Sequence, residues 1–240
     1  MRAALSAAFF MLSGCIAGYA PTAPAAPVLP MAAPTDRLSP PRRAEQFVAV
    51  VDRVEPVAEA LCRQRAAGGN CDIRIVVDDR PGQAPNAFQT VDRSGRPIVG
   101  FTIALIADAR NADEIAFVMG HEAAHHVLNH IPKRQQTAAG AAILAGALAR
   151  ANGATPEGIR EAQAFGAEVG ARSYSREFEL EADALGAEIA LMAGFDPVRG
   201  AAFFSRLPDP GDQFLGSHPP NAERQARVAR IVARLRGSGA

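Results

Sequence analysis

The run His121-Glu122-Ala123-Ala124-His125 holds two imidazoles and a carboxylate. In a helix, His residues four apart share one face, so both rings can reach a single zinc ion. Glu122, beside His121, then points at the open coordination position and is placed to act as general base on a water there. Apolar Val118, Met119 and Val127 flank the run, which argues for a buried helix over an exposed pair of His. A catalytic zinc calls for a third protein ligand. A more distant His on the same helix fails, because the HExxHxxGxxH spacing meets Leu128 and Ile131. His126 and His130 are four apart, but His126 sits about 100° round the helix from His125, off the metal face. A Glu from a later helix remains. In the segment SYSREFELEAD, Glu179 and Asp183 are four apart on one face, and Glu181 projects to another. Glu179 is therefore preferred to Glu181 as third ligand. Asp183 would accept the N–H of a ligand His and fix its tautomer.

These residues need elements to position them. Asn111 is a candidate N-cap with Glu114 three places on, and Asp113 and Glu114 put negative charge in the first turn. Pro132 is expected to stop this helix soon after His130. Upstream, Phe47, Val50, Val51, Val54, Val57, Ala58 and Leu61 recur at helical spacing over 44–61. Residues 73–77, 86–91 and 97–101 read as short strands, with a turn over 92–95. No strand signal follows residue 102. The expected fold is α+β, a mostly helical zincin (gluzincin-like) domain with a small three-stranded sheet beside the HExxH helix. The Ala/Gly-rich run 137–150 is too short to span a bilayer and reads as core or lid packing. With a second such helix between Pro156 and Tyr174, it is placed to form an arm over the cleft.

The chain has 240 residues, enough for one domain with appendages, and 48% are hydrophobic, enough for a core. Basic and acidic residues balance at 25 each, so no electrostatic footprint for nucleic acid follows. Residues 1–14 read as a signal peptide, with Arg2 ahead of an apolar stretch. Leu12-Ser13-Gly14-Cys15 matches a bacterial lipoprotein cleavage box, making Cys15 the lipidated first residue of the mature chain. Residues 15–41, rich in Pro and Ala, form an extended spacer, and 42–240 the peptidase domain. Several acyl chains on one Cys would hold the protein firmly to a membrane. In an exported protein Cys62 and Cys71 read as a disulfide, in preference to a Cys-Cys metal site.

HEAAH, SREFELEADALG, GFDP and SHPPNAERQARV together resemble the zinc endopeptidases related to the CAAX prenyl protease, HtpX and the mitochondrial protease Oma. The chain is most similar to their soluble, periplasmic lipoprotein branch. The resemblance runs from about Cys62 to Val228. It implies that Asn86, Ala87 and Phe88 form the edge strand of the cleft, and that His218 of the His-Pro pair lies near the zinc. It also implies that Arg224 belongs to the active site, and that His218 can occupy the open zinc position as a brake. An imidazole stabilising the oxyanion is the other role for His218. The residues themselves also allow Asn86 as a turn residue, His218 as a plain loop residue and Arg224 as a helix-surface ion pair.

The expected activity is that of an endopeptidase holding one zinc ion per chain and cleaving unfolded or extended envelope proteins in the periplasm. By resemblance to enterobacterial lipoproteins, Ile16 after the lipidated Cys favours the outer membrane of a Gram-negative cell. The alternative is a zinc-binding, chaperone-like assembly or quality-control factor for outer-membrane proteins that holds clients more than it cuts them.

Overall fold

The computed structural model describes residues 38–66, 68–173, 175–207 and 219–237 of the protein. Cys15 and His218 lie outside them. Helix α1, Pro40–Arg65, opens on proline, whose fixed φ suits a first helical turn. It buries Phe47, Val50, Val54, Ala58 and Leu61 along one stripe. The helix extends beyond 44–61 at both ends, where polar side chains face solvent and leave no apolar periodicity to read. In its last turn, Cys62 is joined to Cys71 by a disulfide with a Cα–Cα separation of 5.6 Å.

Strands β1 (Arg74–Asp78), β2 (Ala87–Val91) and β3 (Pro97–Thr102) form one mixed sheet in the order β1-β3-β2. The central strand β3 runs parallel to β1 and antiparallel to β2, with Ala87 opposite Phe101. Val99 and Phe101 of β3 are buried. Asn86 falls just before β2 rather than within it. Thr102 holds its backbone: the Asn86 N–H donates to Thr102 Oγ1 at 2.9 Å, and the Thr102 N–H donates back to the Asn86 carbonyl at 3.0 Å. The same hydroxyl accepts from the Leu105 N–H and so caps the short helix α2, Ile103–Asp108.

Helix α3, Ala112–Val127, is the centre of the fold. Ile115, Ala116, Phe117, Met119, Ala123, Ala124 and Val127 are all buried, so the helix is covered nearly all round. Asn111 caps it by accepting from the Glu114 N–H at 3.0 Å. Glu114 does not close a reciprocal box. Its carboxylate accepts from the Arg110 N–H and takes both Arg206 guanidinium nitrogens at 2.7 Å. Asp113 likewise accepts from the Asp196 N–H and pairs with Arg199. The two acids thus tie the start of α3 to α7, Pro197–Ala201, and to the 3₁₀ turn Ala202–Arg206.

The end of α3 differs from the sequence expectation. The helix stops at Val127, and Asn129 takes a left-handed conformation with φ 56°. A new helix, α4 (His130–Ala151), then begins, with Pro132 in its first turn. Pro132 opens a helix here instead of closing one, because a missing N–H costs nothing in a first turn.

Helices α4 and α5 (Pro156–Ser173) pack against each other as a hairpin. A Cβ on Gly166 or Gly170 would come within 2.6 Å of a backbone oxygen of α4, so small residues set the spacing. The larger apolar residues face outward: Ile143, Leu144 and Leu148 of α4 and Phe165 of α5 are all exposed. Core packing of 137–150 is thereby corrected, since only Gly146 of that run is buried. No helix among the described residues is long and apolar enough to cross a membrane. Helices α6 (Ser175–Met192) and α8 (Asn221–Gly237) complete the body, α6 lying along α3 and α8 along α6.

Candidate metal centre and catalytic cleft

Helices α3 and α6 meet through two glycines. A Cβ on Gly120 would lie 2.6 Å from the Gly186 carbonyl oxygen, and one on Gly186 would lie 2.7 Å from the His121 nitrogen. With no side chain at either position the backbones touch, and the residues one turn or two away are brought face to face.

That contact gathers His121, His125 and Glu179. The Nε2 atoms of the two His are 3.1 Å apart. Glu179 Oε2 lies 3.4 Å from His121 Nε2, and Oε1 lies 3.5 Å from His125 Nε2. For zinc bonds of about 2.0–2.1 Å, neighbouring donors of a tetrahedron stand about 3.3 Å apart. Two imidazole nitrogens and a carboxylate at this spacing fit a zinc-type ion. Glu181, the rival third ligand, points elsewhere, to His130.

Each His is held from behind. His121 Nδ1 donates to Asp183 Oδ1 at 2.9 Å, and Asp183 is fully buried. Arg224 clamps Asp183 through two bonds of 2.8 Å and reaches Glu179 Oε2 at 3.3 Å. Its guanidinium lies 3.7 Å from the centroid of the Phe204 ring. Arg224 is itself buried, so the surface ion-pair alternative is corrected. On the other His, Nδ1 of His125 lies 2.9 Å from Nδ1 of His130, whose Nε2 lies 3.1 Å from Glu181 Oε2. His130 is buried and stacks on Phe178 at 4.4 Å. His126 turns away and meets the Asn70 carbonyl at 2.7 Å, tying the disulfide loop to α3.

The electrostatics follow from these partners. Burial works against a charge on His121, but Asp183 and Glu179 prevail and raise its pKa to about 10. Burial, then the neighbouring His121, lowers His125 to about 3. Burial also lowers His130, against the pull of Glu181. Asp183 is buried too, yet Arg224 and His121 hold its carboxyl below the usual range.

A cleft of about 480 Å³ opens over the three donors. Glu122 lines it beside His121 and His125. Asn86, Ala87 and Phe88 form one wall, at the side of β2 that no other strand among the described residues pairs with. Phe117, Phe203, Phe204 and Leu207 make an apolar wall, and Ile131 and Arg134 bring in the base of α4. The α4–α5 arm touches the cleft only there among its described residues. His130, Phe178 and the clamp on Glu114 were missed from sequence. An Asn two residues past the last core position, followed three residues later by Pro, was the available signal for a helix break at 129.

Around the HExxH helix, a third donor, an acid from a later helix, and an edge strand at the cleft define a helical metallopeptidase domain. Residues 50–232 match peptidase family M48, and the chain belongs to that family of metallopeptidases. It is also similar to a protein of Vibrio cholerae assigned the name beta-barrel assembly-enhancing protease, 35% identical over 123 residues. The match covers 48% of this chain and 25% of the relative, so the chain spans about a quarter of that protein's length.

Proposed function

We propose that the protein is a zinc-dependent endopeptidase, lipid-anchored through Cys15 on the periplasmic side of a Gram-negative envelope, at the outer membrane, and acting on unfolded or extended polypeptides. The observation that carries this reading is the convergence of His121, His125 and Glu179 beneath a cleft that also holds Glu122 and the outer strand β2.

One zinc ion per chain would be held by those three residues, supplying a Lewis acid for the scissile carbonyl and acidifying a water. Glu122, in the cleft wall, is placed to accept a proton from the attacking water and pass it to the leaving amine. The edge of β2, unpaired among the described residues, offers main-chain donors and acceptors to an extended peptide, which gives affinity without strict choice of sequence. Asn86, exposed at the rim, adds an amide that pairs with substrate backbone. Phe88 and Leu207, which line the cleft and keep exposed surface, offer apolar contact to side chains next to the cleaved bond. Arg224 and Asp183 orient His121 and Glu179. On the family resemblance, His218 would act as a brake on the metal site.

The reading is tested by incubating the purified full-length protein with an unfolded casein-like substrate, with and without chelator. Cleavage that chelation abolishes and added zinc restores is expected. A second reading, a holding factor for outer-membrane proteins, draws on the name of the Vibrio relative. Client binding with no cleavage at any zinc concentration would favour it.

A further inference from the structure

His130 and Glu181 lie outside the donor set, yet they form a continuous polar chain behind it. His125 Nδ1 meets His130 Nδ1 at 2.9 Å, and His130 Nε2 meets Glu181 Oε2 at 3.1 Å. Only one proton arrangement satisfies all three groups while leaving His125 Nε2 a bare lone pair. His125 carries its proton on Nδ1 and donates it to His130. His130 carries its proton on Nε2 and donates it to the carboxylate. An imidazole that presents Nε2 to a metal must hold its proton on Nδ1.

The backbone is bent to make this contact. In an unbroken helix, residues five apart lie about 140° round the axis from each other. The left-handed Asn129 interrupts α3 and returns the chain so that His130 faces His125. Asn adopts this conformation more readily than most side chains. Stacking on Phe178, which directly precedes Glu179 on α6, then fixes the ring plane. The other ligand His has its own support in Asp183 and Arg224, so each imidazole is held by a separate two-residue chain.

We propose that His130 and Glu181 are positioning residues for the metal: the pair fixes the tautomer and ring orientation of His125. This rests on the metal-centre reading above but not on peptide cleavage.

The test reads zinc affinity of the full-length protein by competition with a chromophoric chelator, beside thermal melting of each variant. His130→Phe keeps the stack on Phe178 and removes the acceptor. His130→Asn removes the stack and returns an oxygen near the place of Nδ1. Expected is a loss of affinity of about 10- to 100-fold in His130→Phe and recovery of most of it in His130→Asn. Glu181→Leu, on the exposed side of α6, weakens zinc by a smaller factor. Combined with His130→Phe it adds nothing, because Glu181 acts only through His130.

Affinity in His130→Phe equal to the parent overturns the proposal. So does an equal loss in the Phe and Asn variants, which would mark a packing role. Should His130→Phe not fold, Glu181→Leu with unchanged zinc affinity overturns it alone. A parent protein that binds zinc but cleaves no substrate would defeat the peptidase reading while leaving this one standing.

Discussion

At the scale of single residues, the chemistry is divided among groups with separable losses. Glu122 lines the cleft beside the two His and is not among the three metal donors. Glu122→Gln should therefore keep zinc and fold and lose hydrolysis by about a hundredfold to ten-thousandfold. Near-parental turnover would remove Glu122 as the base. Glu179→Gln should lose zinc, whereas Glu181→Gln, whose amide oxygen still accepts from His130, should keep most of it. The reverse order, measured as zinc content after dialysis, would exchange the two assignments.

His121 also gives a pH dependence. Its pKa is raised to about 10, so at neutral pH it holds a proton that zinc must displace. His125, lowered to about 3, contributes none. Zinc binding should release about one proton per ion near pH 7, and affinity should climb about tenfold per pH unit there. Calorimetry in buffers of different ionisation enthalpy reads this, and a pH-independent affinity would contradict it. The sign for folding is opposite. In chelated protein the raised pKa contributes stability fully below the ordinary value of 6.5, and this is lost as pH rises through about 10.

At the scale of elements, the site is a product of helix approach. Gly120 and Gly186 bring α3 and α6 into backbone contact, and His121 sits at that contact. Gly186→Ala puts a carbon 2.7 Å from the His121 nitrogen, so a helix must shift, not a flexible side chain. Overpacking of this kind costs about 1–3 kcal/mol. The expected result is a lower melting temperature together with weaker zinc binding, since the shift carries Glu179 and Asp183 away from His121. Unchanged zinc affinity would mean that the crossing has slack. By contrast, the periodicity of α1 foretold that helix because it buries one face. Apolar spacing alone shows no helix end at Asn129, because the next helix follows after two residues; only the Asn-x-x-Pro sequence marks the break.

At the scale of the whole molecule, the buried hydrophobic side chains of the described residues form one core around α3. The α4–α5 arm stands apart from that core and keeps its large apolar side chains outside. The proposed anchor is far in sequence from this machinery. Cys15→Ser should move the protein from the membrane fraction to the soluble fraction and leave the precursor uncleaved at the lipobox, with peptidase activity of the purified chain unchanged. Continued membrane association of that variant would remove the lipid anchor.

The sequence by itself determined what depends on local spacing. His121 and His125 four apart share a face in any helix, and Glu179 and Asp183 do so for the same reason. The N-cap at Asn111, the three strands and the closeness of Cys62 to Cys71 are likewise written in neighbouring residues. Tertiary structure decided what depends on the approach of distant segments. The parallel pairing of β1 with β3 and the bidentate grip of Arg206 on Glu114 span long stretches of chain. So does the burial of Arg224 against Asp183, which amphipathic spacing in α8 alone leaves indistinguishable from a surface ion pair. His130 became a partner of His125 only because a left-handed residue folds the chain back on itself. Side-chain periodicity records which face of an element is buried; it does not record which other element buries it.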